Sequence, residues 1–128
     1  MVFAGNYKFD KSENFVEYLK SINIPDEYLA QADTASPEVT VSVDGHVYTL
    51  DDGSRKTVVK VGEEWEEDMP VVNVRVKNVG KLEGNDLMVT STTPDGKTSV
   101  TSYKFSADGY VQILTNGDIV GKRYYVRV

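Results

Sequence analysis

From Glu38 to the C-terminus, apolar and polar residues alternate with a period of two, as in β-strands that bury one face. Val39, Val41 and Val43 share one face of the run 38–43, and Asp44-Gly45 behind it has the composition of a two-residue hairpin turn. The pattern then repeats. Residues 46–50 return to a turn at Asp51-Asp52-Gly53, and 55–61 run to Gly62. Residues 63–67 surround Trp65 and stop at Asp68-Met69-Pro70. Residues 71–79 set Val72, Val74 and Val76 against Asn73, Arg75 and Lys77. Strands over 86–92, 97–105 and 110–115 follow the turns Gly84-Asn85, Pro94-Asp95-Gly96 and Asp108-Gly109. Asn116-Gly117 turns into a last strand over 121–128.

The first third reads differently. Residues 4–9 form a short strand with Tyr7 and Phe9 on one face. Asp10-Lys11-Ser12 closes it, with Ser12 as the N-cap of a helix. Phe15, Tyr18, Leu19 and Ile22 then recur at i, i+3, i+4 and i+7, one stripe of an amphipathic helix that fails before Pro25. Pro25 opens a second short helix, with Asp26 and Glu27 in its first turn and Tyr28, Leu29 and Ala32 on its apolar side. It ends by 34–37.

About ten strands joined by tight turns form an antiparallel meander, and closure removes its exposed edges. The predicted architecture is therefore all-β: a ten-stranded antiparallel up-and-down β-barrel capped by a short helix-turn-helix lid. Eight strands can be filled by side chains, so about ten with a lid should enclose a larger cavity.

Composition narrows the function. The chain has 128 residues, enough for one domain over 1–128. A net charge of −6 disfavours nucleic acid and constitutive attraction to an anionic membrane. The paired helices are no DNA reader, because Glu13, Glu17, Asp26, Glu27 and Asp33 outnumber Lys11 and Lys20. Without cysteine there is no disulfide or thiolate chemistry, and the single His46 has no histidine partner for a metal site or catalytic dyad. No cofactor motif is present. No apolar run approaches the roughly 20 residues of a membrane helix, and no basic-then-apolar leader opens the sequence, so a cytoplasmic location is expected.

The candidate chemistry lies in the last strand. Parity puts Arg123, Tyr125 and Arg127 on one face, and Tyr124, Val126 and Val128 on the other. Taken alone, the strand fits a valine face in the core with its arginines in water. The opposite orientation makes Arg123 and Tyr125 two donors in a cavity, awaiting an anion. A wet cavity tolerates inward polar groups that a dry core does not.

Three stretches decide between these. Gly5-Asn6-Tyr7-Lys8-Phe9 followed by Asn14-Phe15, the run from Lys60 to Glu67, and Arg123-Tyr124-Tyr125 together resemble the signatures of the intracellular lipid-binding proteins, the fatty-acid-binding protein family. Val16 departs from the family's usual acidic residue. The resemblance implies a β-clam that binds a hydrophobic ligand without chemistry, its carboxylate held by Arg123 and Tyr125. It implies that Phe15, Tyr18, Leu19 and Ile22, with Ala32 and Pro37, line or gate the cavity. Many members carry a second inward arginine, and here Tyr103 takes that place, so Arg75 is the other cation to consider. The turn 51–54 is short and lacks the aromatic gate many members have. The acidic lid favours ligand transfer through water, with at most transient membrane contact.

The resulting expectation is a monomeric carrier of long-chain fatty acids or similar hydrophobic carboxylates. Alternatives on the same fold are a carrier of retinoic acid or bile salts and an interaction scaffold without lipid. A glycosidase is disfavoured, because the consecutive carboxylates Glu63, Glu64, Glu66, Glu67 and Asp68 share one strand rather than facing each other across a substrate. They read as a surface acidic strand.

Overall fold

The computed structural model describes residues 3–22, 24–29, 38–53, 56–69 and 74–128. Ten antiparallel strands form one sheet: β1 (Gly5–Glu13), β2 (Glu38–Asp44), β3 (Val47–Asp51), β4 (Lys56–Lys60), β5 (Glu64–Met69), β6 (Val74–Glu83), β7 (Asp86–Thr92), β8 (Thr98–Phe105), β9 (Gly109–Asn116) and β10 (Ile119–Arg127). Their order is β4-β3-β2-β1-β10-β9-β8-β7-β6-β5. Each hairpin pairs neighbours, and β1 joins the halves by pairing with both β2 and β10. The predicted meander is borne out, with one refinement. The end strands β4 and β5 do not pair, and the sheet meets itself through a bridge between Val61 and Gly80 and a bond from Gly62 N–H to the Gly80 carbonyl. Gly80 permits this approach, since a Cβ there would lie 2.6 Å from Val59 Cγ1.

Helix α1 (Phe15–Ser21) covers one end of the barrel. Its start differs from the predicted Ser12 cap. β1 continues to Glu13, with a register shift at Asp10, so Ser12 stays in the sheet opposite Arg123. Ladder bonds outweigh a local cap at this position. Asn14 makes the turn instead, at φ 55°, a left-handed conformation that asparagine tolerates. Its side-chain amide donates to the Val120 carbonyl at 3.0 Å, tying the helix start to β10. Asn116 donates to the Ser21 carbonyl at 3.1 Å and ties down the other end. A Cβ on Gly121 would stand 2.9 Å from Tyr18 Cβ, so a glycine lets the helix lie this close. A helical turn covers 26–29, with the Tyr28 N–H bonded to the Pro25 carbonyl. Leu29 is buried as predicted, but Tyr28 is exposed rather than packed. Ala32 and Pro37 lie outside the described residues.

The dry core sits at the end away from α1. Phe3, Tyr7, Tyr48, Leu87, Phe105, Tyr110 and Tyr125 are buried together. Tyr110 stacks on Tyr125 at 4.6 Å, and Phe3, Tyr7 and Phe105 meet edge to face. These rings form a floor. Above it the inward residues become smaller and more polar, and the space between floor and lid is a cavity of about 1160 Å³.

Candidate functional site

Arg123 lies at the boundary between floor and cavity. It pairs with Ser12 on β1 and Gln112 on β9, so the hydrogen bonding of three strands fixes its height. Its guanidinium is sandwiched by aromatic faces, 4.5 Å from the Phe9 centroid and 4.6 Å from that of Phe15, with Tyr125 at 5.7 Å. Nε and Nη2 are buried and meet no hydrogen-bond acceptor among the described residues. Cation–π attraction offsets part of that cost, but a buried cationic donor left unbonded remains unfavourable. An anion brought to this point would satisfy it.

Arg127 lies on the same face of β10 two rungs deeper, beyond Tyr125, where partners surround it. Nη1 donates to the Ala4 carbonyl at 3.0 Å and Nη2 to the Tyr7 hydroxyl at 2.7 Å, while Tyr7 donates onward to the Phe3 carbonyl. It ties the N-terminus across the closed end of the barrel.

Tyr125 is buried, but its ring belongs to the floor beneath Arg123 and is not part of the cavity wall. Burial pushes its pKa up, against the opposing pull of Arg123. Burial also raises Tyr110, reinforced by Tyr125 and Tyr103. Both phenols therefore stay protonated at neutral pH and keep a donor. Tyr103 does reach the cavity, on one rung with Gln112 and Arg123.

From the lid, Phe15, Tyr18, Leu19 and Ile22 all line the cavity, as their helical spacing predicts. Burial raises the Tyr18 pKa, and its hydrogen-bonding neighbour Ser99 works the other way. Arg75 requires a correction. It points outward on β6, donating to Asp68 at 3.1 Å with Glu66 3.8 Å away. Strand parity explains this, because Val74 and Val76 take the inward face.

The acidic strand needs a second correction. Glu64, Glu66 and Asp68 are exposed, but Trp65 and Glu67 alternate inward and line the cavity. Glu67 Oε1 accepts from Asn78 Nδ2 at 3.1 Å, and Asn78 Oδ1 accepts from the Ser91 hydroxyl at 2.6 Å. Asn78 is only 1% exposed. Sequence reasoning missed this relay. The available signal was Asn78 breaking the inward series Val74, Val76 at the next inward position. No group of three or more potential metal-ligating His, Asp or Glu side chains exists among the described residues. Among the described residues no helix is long and apolar enough to cross a membrane.

No protein-family model matches the chain. Individual proteins do. The adipocyte fatty acid-binding protein of Pygoscelis papua is 33% identical over 98% of this chain and 96% of its own. The bilirubin-inducible fluorescent protein UnaG of Anguilla japonica is 32% identical over 98% of this chain and 95% of its own. The crystal structure of wild-type UnaG matches this fold with a TM-score of 0.85, at 30% identity across 98% of this chain and 97% of that one. The crystal structure of a fatty acid-binding protein from Drosophila melanogaster brain gives 0.82, at 28% identity over 98% of this chain and 99% of that one.

Proposed function

The chain belongs to the fatty-acid-binding protein family, and from that premise we propose that it is a non-catalytic carrier of long-chain fatty acids or similar hydrophobic carboxylates. The observation that carries this reading is Arg123, a cation lining the partly apolar cavity whose buried Nε and Nη2 meet no acceptor among the described residues. A carboxylate supplies two acceptors in one plane, the geometry a guanidinium fork matches. Such charge-assisted bonds are worth about 1.5–3 kcal/mol each. The chain adds about 0.8 kcal/mol per buried methylene against Phe15, Leu19, Ile22, Val76, Val89 and Leu114. Tyr125 supports the head group from beneath, orienting Arg123 by its ring face and keeping its phenol protonated. We read residues 1–128 as a single lipid-binding domain, cytoplasmic and monomeric, with at most transient membrane contact.

Calorimetric titration of delipidated protein with oleate, run beside Arg123→Gln, tests the proposal. Native protein should bind at micromolar or lower concentration, and the variant at least about tenfold more weakly. Equal binding by both would move the head group away from Arg123. No binding by either would sink the fatty-acid reading and turn the search to retinoic acid, bile salts and other carboxylates.

A further inference from the structure

Arg123 lines the cavity, yet the two nitrogens that meet no acceptor among the described residues are themselves buried. An anion in the cavity reaches them only if a side chain around them moves. Three rings stand about the guanidinium: Phe9 at 4.5 Å, Phe15 at 4.6 Å and Tyr125 at 5.7 Å. Two of these are fixed in the floor. Phe9 and Tyr125 are register partners in the β1–β10 ladder and meet edge to face at 5.7 Å. Tyr125 is also stacked on Tyr110. Of the three rings only Phe15 lines the cavity, and it comes from the lid. A head group arriving through the cavity therefore meets Phe15 before it meets Nε and Nη2.

The backbone behind that ring is held in place. Asn14 donates to the Val120 carbonyl, and α1 lies so close to β10 that a Cβ on Gly121 would stand 3.3 Å from Phe15 Cα. The ring therefore moves by rotation about its own side-chain bonds, from one staggered well to another. The cavity of about 1160 Å³ gives it room to turn. Turning has a cost. It gives up the cation–π contact with Arg123 and the packing on Tyr18 and Leu114. A carboxylate offsets that cost through two charge-assisted bonds in the plane of the guanidinium. A neutral hydroxyl on the same hydrocarbon chain does not.

We propose that Phe15 is a movable cover on the head-group site and the residue that makes the site selective for charge: a carboxylate turns the ring off Arg123, and a neutral lipid of the same length leaves it there. This rests on the carrier reading above and describes how that same site admits its ligand. The first turn of the lid thus serves the head group, while α1 as a whole stays docked.

Crystal structures of the native protein with oleate and with oleyl alcohol test this, because the two lipids differ only at the head group. With oleate, the carboxylate should bond to Arg123 Nε and Nη2, the Phe15 ring should occupy another rotamer, and the bond from Asn14 to Val120 should persist. With oleyl alcohol the ring should remain stacked on Arg123. A carboxylate on Arg123 with the ring still stacked overturns this inference alone, as does a ring displaced by both lipids. Oleate bound with its carboxylate elsewhere, or not bound at all, overturns the carrier's head-group assignment and this inference with it. Exchange of the Arg123 Nε–H with water gives a second measure in solution. Phe15→Ala should speed it at least about tenfold by uncovering the nitrogen. Equal exchange in native and variant protein would show that Phe15 covers nothing.

Discussion

Arg123 and Arg127 share a strand and a face, yet the structure uses them in opposite ways. Arg127 is spent on the fold, bonded to Ala4 and Tyr7 with its guanidinium 4.8 Å from the Tyr7 ring. Arg123 has aromatic walls but two nitrogens with no acceptor among the described residues. The regions around them differ in the same sense. Near Arg127 the inward side chains are large rings that pack to exclude water. Around and above Arg123 they shorten to Gln112, Thr101, Ser91 and Ser99, which leaves space. A binding protein needs both: a floor that supplies stability, and a region kept short of its own satisfaction so that a ligand can complete it.

The contrast breaks most sharply by substitution. Arg127→Leu should cost about 2–3 kcal/mol, through the lost charge-assisted bonds, read as a lower urea midpoint. Arg123→Leu should keep the midpoint or raise it while lipid binding falls, because it removes a cation with two buried nitrogens that meet no acceptor among the described residues. Equal losses of stability from the two would erase the distinction. The junction of lid and wall comes next. Gly121→Ala forces α1 away from β10, because the new methyl meets Tyr18 Cβ and the backbone of Asn14 and Phe15. The expected cost is about 2 kcal/mol, with faster lipid release in stopped-flow exchange, since the lid closes less tightly.

The smallest effect sharpens the floor alone. The folded state raises the Tyr110 pKa above its ordinary 10.0, so the native protein holds the phenol proton more tightly than the unfolded chain. That stabilisation is complete below the unfolded value and is lost as pH rises beyond it. One pH unit above 10.0, Tyr110 should contribute a loss of about 1.4 kcal/mol. Tyr110→Phe should remove that share of the alkaline decline. Identical alkaline slopes in native and variant protein would show that Tyr110 ionises as freely when folded as when unfolded.

Much of this was legible beforehand because strand parity and turn chemistry are local. Val39, Val41 and Val43, with Asp44-Gly45 behind them, specify a hairpin without any knowledge of its neighbours. The stripe Phe15, Tyr18, Leu19 and Ile22 located the lid's inner face for the same reason. Errors arose where a distant partner decided. Ser12 had the chemistry of a cap but was held in the ladder opposite Arg123. Tyr125 shares parity with Arg123, but stacking on Tyr110 drew it into the floor. Glu67 was grouped with its acidic neighbours, although parity alone would have set it beside Trp65. Arg75 was offered as a second inward cation, and the parity of Val74 and Val76 already opposed it.

The amino-acid sequence alone determined the alternation, the turns, the lid stripe and the face that Arg123 shares with Arg127, because each depends on residues a few positions apart. Only the tertiary structure decided which arginine would be satisfied and which left waiting, and that Glu67, Asn78 and Ser91 would meet. Those outcomes depend on register between strands far apart in the chain. The physical reason is that a hydrogen bond acts over about 3 Å, and only folding brings such groups within that reach.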